Sequence, residues 1–254
     1  MRTLLLSAIG VSLGCKSFAF DFVGGNNRGS NEITTVSSRA CDDYVRTRQP
    51  DGTFQVETYA FGKGGNYRGP DRDPTIEEKS FEDVAHTIAI PLASQNYLPS
   101  SDPNDTKFLI MVYLGTSWGT TGAITQTLVD MDINRDALIL GYAEDLRASI
   151  GLDRSPLGWR RRELKGDLGG TRYFVILMAY DFQLMRKQKK HRLVWETRFS
   201  LSEIGHDFGK ELPGMAKFAS QYFGRNSHGL IRTLVPEGHV DVGDVKSLGE
   251  VPAK

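Results

Sequence analysis

The sequence predicts an α/β (α+β) fold: one domain over residues 53–235, with a mixed β-sheet, helices mainly on one face and a late antiparallel hairpin. Three patterns predict it. Phe108 to Leu114 is an unbroken apolar run bounded by Gly115, and its length and β-branched content suit a strand buried on both faces. Ser80, with Asp83 three places on, opens a stretch where Phe81, Val84, Ile88 and Leu92 recur at helical spacing. Arg172 to Met185 and Leu193 to Leu201 are two further strand-like runs joined by a short basic link, Arg186 to Arg192. Strands joined so briefly pair antiparallel.

Residues 1–19 have the layout of an export signal. Arg2 gives a basic start, Leu4 to Gly14 is mostly apolar, and Ser17-Phe18-Ala19 offers a small-x-small cleavage site. The apolar stretch is shorter than the roughly 20 residues that span a bilayer. The same segment admits a second reading, since Ser12-Leu13-Gly14-Cys15 approximates a lipoprotein signal that would place a lipid anchor on Cys15. Either way the expected location is exported: the periplasm or cell envelope of a bacterium. The chain of 254 residues balances 31 basic against 31 acidic side chains, and cleavage after Ala19 removes Arg2 and Lys16, leaving 29 against 31. That balance calls for no nucleic acid as partner. Of the two cysteines, only Cys41 would remain after cleavage at Ala19, so no internal disulfide is expected, and no second apolar span follows.

Along the rest of the chain, residues 20–52 are rich in Gly, Asn, Ser, Arg and Asp and read as a loosely ordered lead-in. Thr53 to Phe61 alternates like a strand, and Gly62 to Asp73, with four glycines and a proline, reads as a long loop. After the helix that Ser80 opens, Pro99 to Asp105 is turn-like. Ala123 to Ile150 is helix-permissive, with Leu138, Tyr142 and Leu146 at four-residue steps and Gly151 as a stop. In the late hairpin Leu193, Trp195, Thr197, Phe199 and Leu201 share one face. A last helix is expected near Leu212, with Pro213 in its first turn and Leu212, Met215, Ala219 and Tyr222 inward. Residues 236–254 read as a flexible tail.

Four short motifs carry a resemblance: Thr58-Tyr59-Ala60-Phe61, Leu92-Ala93-Ser94-Gln95-Asn96-Tyr97, the strand Phe108 to Tyr113, and Leu193-Val194-Trp195. Together with the exported start they resemble a group of uncharacterised bacterial envelope proteins, a domain of unknown function often described as lipoproteins. Asn96 stands where that group usually has Gly. The resemblance implies an α/β domain in the cell envelope and transfers no catalytic residue.

The motif that competes with this reading is Gly115-Thr116-Ser117-Trp118-Gly119, which fits the G-x-S-x-G elbow of serine hydrolases. Its partners would come from Asp167 or Asp181 with His191, His206, His228 or His239. An elbow needs a helix starting at the serine, whereas Thr120-Thr121-Gly122 follows here. A strand-end turn is the expectation. Asp130-x-Asp132-x-Asn134-x-Asp136 imitates a calcium loop but has Arg135 and Gly141 where Gly and Glu are required, and the histidines lack ligand spacing. Gly166-x-x-Gly169-Gly170 precedes a strand rather than a helix and reads as a turn. Two basic clusters, Arg160-Arg161-Arg162 with Lys165 and the link Arg186 to Arg192, could hold an anionic envelope polymer or lipid headgroups, and as solvated faces they need no ligand. Cys41 reads as an ordinary thiol. These observations assign no catalytic, cofactor-binding or metal residue. They point to an exported, non-enzymatic envelope protein that binds a protein or surface partner. A small serine hydrolase using Ser117 and an anion binder using the basic clusters are the alternatives.

Overall fold

The computed structural model describes residues 33–120, 123–151 and 158–234. The export signal, the Cys15 anchor, His239 and the tail lie outside the described residues. Seven strands form one mixed sheet, in the order β3-β2-β4-β5-β6-β1-β7. Parallel pairs join β2 (Glu57–Tyr67) to β3 (Tyr97–Pro99) and to β4 (Phe108–Thr116). All other pairs are antiparallel, including the hairpin of β5 (Arg172–Asp181) and β6 (Leu193–Ser202), whose register runs from Arg172 opposite Ser202 to Tyr180 opposite Leu193.

The residues expected to be a lead-in include a strand. β1 (Ile33–Ala40) lies inside the sheet, between β6 and β7 (Ile231–Leu234). Its Thr34, Thr35 and Ser38 are buried, and their composition hid the strand. The Thr35 and Ser38 hydroxyls are satisfied across the ladder, with Ser200 at 2.8 Å and with Thr197 at 2.7 Å. Arg172, 1% exposed, donates to the Ser200 hydroxyl at 3.1 Å and to the Ile33 carbonyl at 2.9 Å.

Residues 62–67 are likewise strand rather than loop. β2 continues through them with a register shift between Lys63 and Gly65. After a short α1 (Pro74–Glu77), the four helix-face residues that follow Ser80 do form α2 (Phe81–Ser94), opened by the reciprocal Ser80–Asp83 capping box, and Pro91 sits inside it. Asn96, just beyond, has φ of 59°. Asn tolerates that left-handed conformation better than most residues. The helix-permissive stretch 123–150 divides into α3 (Gln126–Leu140) and α4 (Ala143–Ala148), because Gly141 stops α3 ten residues before Gly151, at φ of 83°. α5 (Gly158–Gly169) takes up Gly166 and Gly169, which were expected in a turn.

The expected strand to Met185 ends instead at Asp181, whose side chain accepts the Leu184 amide and starts α6 (Phe182–Gln188). The basic link is thus partly helical, closed by Lys189 in a left-handed conformation. α7 (Phe208–Ala219) begins at the Asp207 cap, which puts Pro213 inside the helix rather than in its first turn.

The alternation of the strands sends residues to two faces. The larger core lies on one face, where Ile110 and Val112 of β4, Val175 and Leu177 of β5, and Trp195 and Phe199 of β6 meet α2 and α7. A smaller cluster occupies the other, where Phe174 and Ile176 meet α3, α4 and α5. Helices thus cover both faces of the sheet, α2 and α7 over the larger core and α3, α4 and α5 over the smaller cluster. Trp195, 1% exposed, stacks on Phe223 at 6.0 Å between ring centres. Among the described residues no helix is long and apolar enough to cross a membrane.

Candidate functional site

The layer of α3, α4 and α5 does not reach across its face of the sheet. β4 reads in sequence as buried on both sides, yet its burial alternates: Phe108, Ile110 and Val112 are buried, whereas Leu109, Met111 and Tyr113 are only half-buried. The same holds for Met178 and Tyr180 of β5. An apolar trough of about 370 Å³ results, lined by Tyr67, Tyr113, Ile176, Met178 and Tyr180 from the sheet and by Leu138 and Ile139 from α3.

Local sequence shapes this trough. A Cβ on Gly64 would come within 2.7 Å of the Tyr113 ring, so the absent side chain lets that ring lie against β2. Tyr67, 52% exposed, approaches Tyr113 and Phe174 at 6.4 Å and 6.1 Å between ring centres. At the α3 end, the Arg198 guanidinium donates to the Leu138 and Ile139 carbonyls and pairs with Glu196 at 3.2 Å. A cation at a helix C-terminus is favoured by the aligned peptide dipoles, so Arg198 is held in place as a fixed donor beside the trough. Burial, then the Tyr113 hydroxyl and the Glu196 carboxylate, push the Tyr180 phenol up, so the Tyr180 hydroxyl stays protonated as a donor. Tyr, Met and Arg are the residue types that protein interfaces favour.

The residues singled out from sequence fall elsewhere. Ser117 is 1% exposed; its amide donates to the Arg172 carbonyl at 2.9 Å and its hydroxyl accepts from the Arg172 amide at 3.0 Å. These bonds extend the β4–β5 ladder by one residue. No hydrogen bond joins Ser117 to a histidine among the described residues. The Gly119 amide in the same turn donates to Asp136 at 2.7 Å. Asp167 pairs with Arg232 at 3.0 Å and accepts from the Tyr142 hydroxyl, while Asp181 caps α6. His191 and His228 are exposed, and His206 receives the Tyr173 hydroxyl only at its carbonyl.

The calcium-like acids are likewise spent within the fold, Asp130 on Lys165, Asp132 and Asp136 on Arg135. No cluster that could hold a metal ion occurs among the described residues. The Cys41 thiol donates to the Leu193 carbonyl at 2.9 Å. In the basic link, Arg186 donates to Pro103 and Asn104, Arg192 pairs with Asp43, and Lys187, Lys189 and Lys190 are exposed. On α5, Arg160 pairs with Asp145 at 3.3 Å.

The trough residues were missed because three strands and a helix bring them together through a sheet order that the sequence does not state. One signal was present. Apolar residues occupy both alternating sets of β4 and β5, one set more than a single core requires.

No family model matches the sequence, and no curated protein matches it. A solved structure described as a PDZ domain protein from Parabacteroides distasonis is similar to it at 13% identity with a TM-score of 0.37. The alignment covers 79% of this chain and 39% of that one, so the chain spans less than half of that protein's length.

Proposed function

We propose that this chain is an exported protein of the bacterial cell envelope that binds a protein partner through the open half of its sheet and carries out no chemistry of its own. The observation that carries the reading is the uncovered apolar set Leu109, Met111, Tyr113, Met178 and Tyr180, flanked by the exposed Tyr67 and Leu138. Monomeric proteins rarely leave contiguous apolar surface of this kind open, and a polar-rimmed patch marks a place where something docks. Export is supported by the layout of residues 1–19. The engagement of the Ser117 hydroxyl in the ladder weighs against the hydrolase alternative.

The test places a photo-reactive phenylalanine analogue at Tyr67 in the native host, with Ile90, exposed on α2, as the control position. Irradiation should give a discrete protein adduct from position 67 and none from position 90, on a chain whose amino terminus is Phe20. Identical adduct patterns from both positions would contradict a dedicated face, and an intact Met1 would contradict export.

A further inference from the structure

β2 is paired on both sides over only part of its length. β3 covers its outer side at residues 57–59, and over residues 60–67 β4 is the one strand it pairs with among the described residues. The covered end shows which backbone groups face outward. There the Glu57 amide donates to the Asn96 carbonyl at 3.0 Å, and the Tyr59 carbonyl accepts the Ser100 amide at 2.8 Å. Backbone groups alternate sides along a strand, so the N–H and C=O of Phe61 and Lys63 point to the open edge. Such an edge is a template for another strand. On the trough face β2 presents Gly62 and Gly64. A Cβ on the first would run into Met111 and on the second into Tyr113, so both side chains lie over β2. The edge and the trough are thus continuous.

We infer, resting on the docking reading above, that the protein partner enters as an extended strand added beside residues 60–67, with apolar side chains on Met111 and Tyr113 and a carboxylate opposite Lys63. The open backbone specifies the conformation, since a helix spends its own backbone groups internally and has no row of them to offer. Lys63 specifies the charge, being exposed and in no ion pair among the described residues. It also weighs against a second copy of this chain. An antiparallel pair that used the whole edge of both copies would set the two Lys63 ammonium groups side by side, and like charges facing each other across strands are destabilising. A lysine and a bulge on an edge discourage random pairing, and the register shift between Lys63 and Gly65 supplies the bulge. The edge therefore selects a complementary strand.

The experiment keeps the photo-reactive phenylalanine analogue at Tyr67 of the full chain in the native host and adds a second chain carrying it at Phe61, where one aromatic ring replaces another. Mass spectrometry of the adducts should place both on one segment of the same partner, about five to seven residues apart, because paired strands advance residue for residue. The Tyr67 adduct should fall by at least about tenfold with Lys63→Glu, which opposes the carboxylate, and with Lys63→Pro, which removes an outward N–H. Lys187→Glu, which reverses an exposed lysine on α6, should leave it unchanged. If the Phe61 analogue or Lys63→Pro lowers the melting temperature, Lys63→Glu decides.

An undiminished Tyr67 adduct with Lys63→Glu or with folded Lys63→Pro overturns the inference and leaves the docking face standing. Adducts from the two positions on separate partner segments do the same. Adducts within the chain itself or between two copies of it also overturn the inference. No adduct from Tyr67 at all contradicts the docking face, and the added strand with it.

Discussion

Ser117 shows how a motif can fit its pattern and miss its chemistry. Its neighbours satisfy G-x-S-x-G, but a nucleophile must present its hydroxyl to a substrate and to a base, and this hydroxyl is buried against the Arg172 amide. Ser117→Ala should therefore act on stability rather than on activity. Removing the acceptor leaves a buried N–H without a partner, at a cost of about 1–3 kcal/mol. A lowered denaturation midpoint and no labelling of the wild-type protein by a fluorophosphonate probe are the expected results. Labelling that vanishes in the variant would restore the hydrolase. The residue-level signals that did transfer were local ones: the Ser80–Asp83 capping box and the inward face of Trp195.

At the scale of elements, legibility followed how strongly each segment declared its period. α2 and β4 have clean apolar patterns and stand within a few residues of where the sequence placed them. β1 did not declare itself, because Thr35 and Ser38 are polar in isolation and become good interior residues only once Ser200 and Thr197 are opposite them. The Gly62–Tyr67 half of β2 was hidden for a related reason. Glycines argue for a loop until Tyr113 needs the space they leave. The link Arg186 to Arg192 was read as a bare tip, and α6, started by Asp181, takes up its first three residues. Lys187, Lys189 and Lys190 remain exposed there. Replacing all three by Gln should shift stability by less than about 0.5 kcal/mol per residue and leave retention on anionic vesicles as weak as in wild type. Salt-sensitive vesicle binding seen only in wild type would make the tip an anion site, with release expected as ions screen charges over about 10 Å at 0.1 M.

For the whole molecule, the α/β class and the late antiparallel hairpin were legible, while the sheet order, which brings β1 beside β6 and creates the open trough, was not. Partner choice among strands depends on contacts far apart in sequence, and no local pattern encodes it. A property of the assembled fold follows from its buried phenols. Burial pushes Tyr142 up to about 12, with the Arg172 guanidinium opposing and Asp167 adding to the shift. Burial likewise raises Tyr44, Tyr59, Tyr97 and Tyr173 above the ordinary value of 10.0.

A phenol whose folded value lies above its unfolded one contributes stability that is whole below pH 10 and is lost as the pH climbs towards the folded value. Denaturation midpoints should accordingly stay flat in this respect up to about pH 10 and fall above it, with tyrosinate absorbance appearing together with unfolding. Tyrosinate formation by all nine tyrosines near pH 10 in a protein that stays folded would contradict the burial of these rings.

The central claim is that the uncovered apolar half of the sheet is a docking face and that Ser117 belongs to the scaffold. It is tested most directly by measuring, side by side, recovery of the adduct partner with Tyr67→Glu and with Ser117→Ala protein from the native host. Tyr67 is half exposed, so a carboxylate there should leave the melting temperature unchanged while partner recovery falls by about tenfold. Ser117→Ala should lower the melting temperature and leave recovery at the wild-type level. Undiminished recovery with Tyr67→Glu, or loss of the partner with Ser117→Ala in protein that is still folded, would contradict the account.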